Sequence, residues 1–163
     1  MIRVLFVCLG NICRSASAEG VMKTMVAQAG LSDQIECDSA GTADFHEGEG
    51  ADPRMRLHAI RRSYQLDSVA RRIVPEVDFE KFDLIIAMDN NNFRDLNRLA
   101  PNSMLAKKIC KMTDFGSPDY DQVPDPYYGG EDGFELVLDI LEESCSGLLN
   151  RLMNEWIVEK GER

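Results

Sequence analysis

An apolar run, Ile2 to Val7, opens the chain and is broken only by Arg3. A short run of this kind reads as a strand buried on both faces of a parallel sheet. After Ser15 the period changes. Ala18, Val21, Met22, Met25, Val26 and Ala29 recur at i, i+3, i+4 and i+7, which predicts a helix, and Gly30 supplies its C-cap. Gly20 lies inside that helix, where it costs about 1 kcal/mol relative to Ala, and reads as a point of close packing. Ile35 to Ala40 predicts a second strand, and Gly41 to Gly50 a polar loop. Asp52-Pro53 pairs an N-cap with Pro at N1, so a helix carrying Met55, Leu57, His58 and Ile60 follows. Val69 to Val74 is an extended connection whose Arg71 and Arg72 read as solvated or salt-bridged surface. Leu84 to Met88 is a fully apolar strand. Asp89 and the asparagines after it suit the N-cap of a short helix holding Phe93, Leu96 and Leu99, which Pro101 punctuates. Lys107 to Met112 predicts a weaker strand at a sheet edge. Thr113 to Asp132 is acidic, rich in Pro, Gly and Tyr, and aperiodic; a loop of that length in a compact domain is usually either functional or disordered. From about Gly133 to Glu155, Phe134, Val137, Leu138, Leu141, Cys145, Leu148, Leu149 and Leu152 form one helical stripe with acids opposite. Cys145 is thereby placed in the core.

Strands alternating with helices predict an α/β fold with right-handed crossovers, a doubly wound parallel sheet. No repeat, low-complexity tract or linker divides the chain, so residues 1–163 read as one domain. Composition adds little: 44% hydrophobic and 28% charged residues are ordinary for a soluble globular protein. No apolar run approaches the ~20 residues of a membrane span, and the first residues lack the pattern of a signal peptide. Charge is more informative. The net charge is −10, and the stretch from Asp114 onward, with thirteen acids and three bases, carries all of it. That asymmetry disfavours nucleic acid and anionic membranes as partners. The five cysteines, Cys8, Cys13, Cys37, Cys110 and Cys145, are odd in number and scattered. They form neither a disulfide framework nor a zinc site, and a reducing, cytoplasmic home fits them best.

The candidate chemistry lies in VCLGNICRS, Val7 to Ser15. A strand feeds Cys8, a loop containing Gly10 and Asn11 follows, Arg14 comes six residues after Cys8, and a helix begins. Strand, tight loop and helix N-terminus can hold an anion on inward-turned N–H groups. A thiol on the floor of such a nest meets conditions that favour the thiolate. Arg14 offers a planar fork matched to two phosphate oxygens. A nucleophile under a phosphate cradle points to phosphoryl transfer through cysteine.

CLGNICRS resembles the active-site loop of the low-molecular-weight protein tyrosine phosphatases. DSAGT at Asp38, ADPRM at Ala51, AMDNNN at Ala87 and DPYYGG at Asp125 to Gly130 resemble that family's other motifs, in its order and at its usual distances. One departure is Ala16, where the family usually has Pro. The resemblance implies a four-stranded sheet with helices on both faces, and a set of roles. Cys8 is the expected nucleophile and Arg14 the phosphate clamp. Asp125 is the expected general acid, and then the base that activates water. Leu9, Gly10, Asn11, Ile12, Cys13 and Ser15 complete the phosphate-binding loop, with Ser15 also hydrogen-bonding the thiolate. Asn11 either braces the loop or acts directly. Phe45, Tyr127 and Tyr128 are expected as cleft walls for an aryl ring. Ser39 is expected to support the phosphate loop from behind, and Asp89 to lie near the acid loop. Cys13 is the expected redox partner that resolves an oxidised Cys8. His46 and His58 match no catalytic position and read as loop surface and helix face. No cofactor and no metal are implied. The expected partners are a phosphotyrosine-containing protein substrate and inorganic phosphate, with no nucleic acid and no membrane, for a monomer or weakly self-associating chain.

Three other readings compete. Thiol-linked arsenate reductases share the loop but need resolving cysteines in mid-chain, and residues 41–108 contain none. Arginine phosphatases tend to carry Thr where this chain has Ile12, which would crowd a guanidinium phosphate. A non-catalytic phosphate-binding module would require loss of Cys8, Arg14 or Asp125, and all three are present.

Overall fold

The computed structural model describes residues 1–127 and 130–157. Its centre is strand β1 (Ile2–Cys8), flanked by β2 (Ile35–Gly41) on one side and β3 (Leu84–Ala87) on the other. The edge strand β4 (Ile109–Lys111) completes a four-stranded sheet ordered β2-β1-β3-β4, parallel throughout. Side chains alternate across a strand, and β1 uses both faces. Ile2, Val4, Phe6 and Cys8 point into one hydrophobic core, Leu5 and Val7 into the other. That two-sided burial is why the strand reads as a continuous apolar run.

The first core is covered by α1 (Arg14–Gln28), α2 (Pro53–Ile60) and α6 (Glu131–Arg151). The second is covered by α3 (Pro75–Lys81), α4 (Asn90–Leu99) and α5 (Ser103–Ala106), through Phe79, Leu96 and Leu105. The caps expected from the sequence are in place. The Asp52 carboxylate accepts the Arg54 and Met55 N–H groups at the start of α2, and Asp89 with Asn92 forms a capping box on α4. Gly30 ends α1 with φ +73°. Gly20 is close-packed as expected: a Cβ there would lie 2.5 Å from Leu66 Cδ2.

Two helices escape the sequence pattern. α3 and α5 have seven and four residues, too few for a helical period to show. The acidic stretch begins with a 3₁₀ turn, Met112–Phe115, and the last helix starts at Glu131 and leaves α geometry at Leu152, where a π turn runs to Ile157. Leu57, Ile60 and Phe93, expected on their helices, are largely turned to solvent.

The chain leaves β1 toward α1 on one face and leaves β3 toward α4 on the opposite face. Adjacent parallel strands whose connections part in this way leave a crevice at their carboxyl ends, where α/β folds bind ligands. Cys8 ends β1, and Asp89 follows β3. Among the described residues no helix is long and apolar enough to cross a membrane, and no group of three or more His, Cys, Asp or Glu side chains could hold a metal ion.

Candidate active site

Between β1 and α1 the chain reverses over residues 9–13. Asn11 makes this possible by taking the left-handed conformation, φ +58°, which Asn tolerates better than most residues. It is 1% exposed, and its amide is fully used. Nδ2 donates to Ser15 Oγ (2.8 Å) and Ser39 Oγ (2.9 Å), while Oδ1 accepts the Arg71 N–H (3.0 Å). Asn11 thus ties the loop to α1, to β2 and to the extended segment beside β2. Ser39 is fixed in turn by donating to Glu19 Oε1 at 2.7 Å. The Asn11 N–H points at Cys8 Sγ (3.3 Å), and Ser15 Oγ lies 3.0 Å from the same sulfur.

The floor of the loop is crowded. Gly41 pairs with Cys8 across the sheet, and a Cβ on it would sit 2.7 Å from Leu9 O and 3.0 Å from Ala43 O. Glycine is required there by space, not by dihedral angle.

Arg14 is the first residue of α1, and its side chain is 4% exposed. Nη1 donates to Asp89 Oδ2 (2.6 Å) and Val123 O (3.2 Å); Nη2 lies 3.5 Å from Asp125 Oδ2. Burial works against its charge, but the charge of Cys8 and the bond to Asp89 outweigh burial and raise its pKa. Asp89, expected near the acid loop, therefore holds the Arg14 guanidinium as well as capping α4. Ala16 is buried at the third position of α1, in a first turn whose N–H groups have no intrahelical partner; Pro there would cost no hydrogen bond, and what Ala lacks is its pre-set φ.

A cavity of about 90 Å³ opens over the loop, lined by Cys8, Leu9, Gly10, Ile12, Cys13, Arg14, Phe45, His46, Asp125 and Tyr127. The structure thus brings the expected nucleophile, clamp and acid into one space. Asp125 is fixed locally by accepting the Tyr127 N–H at 3.0 Å. Phe45 is 71% exposed at the rim. Tyr128, expected as a cleft wall, lies outside the described residues. Cys13 is buried in the loop, and burial, followed by the charge of Asp52, pushes its thiol above the usual range.

Of the two histidines, His58 is buried against α6, 2.9 Å from Glu135 and stacked on Phe134, away from the cavity. His46, expected on the loop surface, instead lines the cavity with its ring. Its Cδ2 would be 3.1 Å from a Cβ on Gly10, its ring centroid is 5.8 Å from that of Tyr127, and Nδ1 lies 2.8 Å from Glu49. Its place next to the predicted cleft residue Phe45 was the one available signal.

The sequence profile of the low molecular weight phosphotyrosine protein phosphatases matches residues 3–158. The chain belongs to that family. Family members of known sequence include the Streptomyces coelicolor low molecular weight protein-tyrosine-phosphatase, 46% identical over 90% of this chain and 91% of that protein. The human low molecular weight phosphotyrosine protein phosphatase is 38% identical over 91% and 94%. A crystal structure of a protein tyrosine phosphatase from Entamoeba histolytica superposes over the whole of both chains with a TM-score of 0.90 at 47% identity. Cys8 and Arg14 thus occupy the two ends of a phosphatase phosphate loop, and the parallel four-stranded sheet is the family's fold.

Proposed function

We propose that this phosphatase hydrolyses phosphotyrosine in proteins through a cysteinyl-phosphate intermediate. The observation that carries the reading is the shared cavity: Cys8, Arg14 and Asp125 line one space of about 90 Å³. Cys8 Sγ attacks phosphorus as the thiolate, so an S–P bond forms and the P–O bond to the ring breaks. Donors from Asn11 N–H and the Ser15 hydroxyl suit an anionic sulfur. Arg14 and the loop N–H groups hold the equatorial oxygens as charge builds on them. Asp125 delivers its proton to the phenolic oxygen and leaves as a carboxylate. That carboxylate then takes a proton from water, whose oxygen attacks phosphorus; the S–P bond breaks and inorganic phosphate departs. Phe45, His46 and Tyr127 surround the cavity mouth, a setting for an aryl ring that carries its phosphate farther out than a serine methylene does.

Ile12, 7% exposed, lines the same cavity, where its branched side chain would crowd a guanidinium phosphate. Cys13 lines it too, which supports a role as the thiol that resolves oxidised Cys8. The odd number and scattered spacing of the five cysteines support a reducing, cytoplasmic setting.

The test is a rate comparison among peptides carrying phosphotyrosine, phosphoserine and phosphoarginine, with arsenate reduction as a control. Phosphotyrosine should be cleaved fastest, and Cys8→Ser should abolish turnover while phosphate still binds. Preference for phosphoarginine, or thiol-dependent arsenate reduction at a comparable rate, overturns the reading.

A further inference from the structure

Asp125 lies on a segment without regular structure, yet proton delivery needs its carboxyl placed to within a fraction of an ångström. One side of the segment is held where the Val123 N–H donates to Met88 O at 2.7 Å, just past β3. The other side is held by Arg54, the second residue of α2. The Arg54 guanidinium forms a fork on Asp52, Nε to Oδ1 at 3.2 Å and Nη2 to Oδ2 at 3.0 Å. The same Nη2 donates to Tyr127 O at 3.1 Å. Its central carbon lies 5.4 Å from the centre of the Tyr127 ring and 5.0 Å from that of Phe134. Asp52 in turn donates its N–H to Ile12 O at 2.9 Å, inside the phosphate loop. The Asp52 carboxylate is buried, and it already caps α2 through two backbone N–H groups. Its burial opposes ionisation, but the Arg54 side chain and those N–H groups prevail and hold its pKa below the ordinary value.

Capping α2 does not require a guanidinium, and an exposed ion pair adds little to stability. What the fork supplies is reach in two directions: one cation joins the phosphate loop, through Asp52, to the backbone two residues past Asp125. Lysine, a point charge on a flexible stem, cannot hold the carboxylate with two bonds while serving the carbonyl and stacking on both rings.

We infer that Arg54 is a positioning residue for the general acid, tying the Asp125 loop to the phosphate loop through Asp52 so that the carboxyl sits over the leaving oxygen. The inference rests on Asp125 being that acid. The experiment measures kcat/KM, which reports formation of the cysteinyl phosphate and not its hydrolysis, for Arg54→Met and Arg54→Lys on aryl phosphates with good and poor leaving groups, with Asp125→Asn alongside. Thermal unfolding confirms that each variant is folded at the assay temperature; Arg54→Lys keeps the charge and carries the test alone if Arg54→Met does not fold. With phenyl phosphate, both Arg54 variants should lose about 10-fold or more, a part of the 10²–10⁴ that a general acid supplies. With dinitrophenyl phosphate, whose leaving group needs no proton, and in inhibition by inorganic phosphate, they should stay within about twofold of wild type. Equal losses on both substrates, or none, while Asp125→Asn remains selective for the poor leaving group, would overturn the role of Arg54 alone. If Asp125→Asn itself shows no selectivity, the acid assignment fails and the inference with it.

Discussion

Asn11→Asp is close to isosteric, yet it should cripple the enzyme, because the donor and acceptor directions in the loop form a chain. Asn11 Nδ2 donates to Ser15 Oγ at 2.8 Å, so the Ser15 proton is left to point at Cys8 Sγ, 3.0 Å away. Ser39 closes the other branch, accepting from Asn11 and donating to Glu19. An Asp at position 11 still accepts the Arg71 N–H and still tolerates the left-handed backbone. Its second oxygen, however, is an acceptor where a donor stood. The Ser15 hydroxyl would turn toward that carboxylate and away from the sulfur. One hydrogen bond to a charged group is lost, about 1.5–3 kcal/mol, or about 10- to 150-fold in rate. In the proposed mechanism the loss should fall on phosphoenzyme hydrolysis, where the Cys8 sulfur departs as an anion. Burst kinetics with a good leaving group separate that step from phosphorylation. Ser15→Ala should match the defect, and the double variant should be little worse than either, because both remove the same bond. A near-wild-type Asn11→Asp, or fully additive defects, would show that Asn11 does not set the direction of the Ser15 hydroxyl.

Two further outcomes are expected. Peroxide should inactivate the enzyme reversibly, phosphate should protect it, and mass spectrometry should find Cys8 joined to Cys13; sulfonic acid at Cys8 as the sole product would remove Cys13 from that role. The Asp52 carboxyl, with its pKa lowered in the fold, adds stability that is complete above the ordinary carboxylate range and is lost as pH falls through the lowered value. Urea midpoints measured from pH 6 down to pH 2 should therefore fall less steeply in Asp52→Asn than in the wild type, and identical slopes would contradict the assignment.

What the sequence revealed and what it hid divide along one line. β1 and β3 were legible because burial on both faces writes itself as an unbroken apolar run. Cys8, Arg14 and the turn at Asn11 were legible because loop chemistry is local in sequence. α1 was read through Val21, Met22 and Val26, yet Arg14 to Gly20 is buried on every side, which no amphipathic period can signal. His46 was missed because its role depends on a glycine 36 positions earlier: the imidazole rests where Gly10 has no side chain. Arg54 was hidden differently. Its neighbour Asp52 has a complete explanation as a helix cap, and nothing near it in sequence points to a carbonyl at Tyr127. Contacts of long sequence separation, made by residues whose local role already suffices, leave no pattern in the chain.

Gly41 sets the terms on which this pocket can change. Its crowding neighbours are carbonyl oxygens of the chain itself, so no rotamer relieves them and any side chain must push Leu9, and the phosphate loop with it, out of place. Phe45, open to solvent at the mouth, is under no such restriction. Selection, whether natural or in the laboratory, is therefore free to rewrite the rim of the pocket while the loop beneath it stays locked.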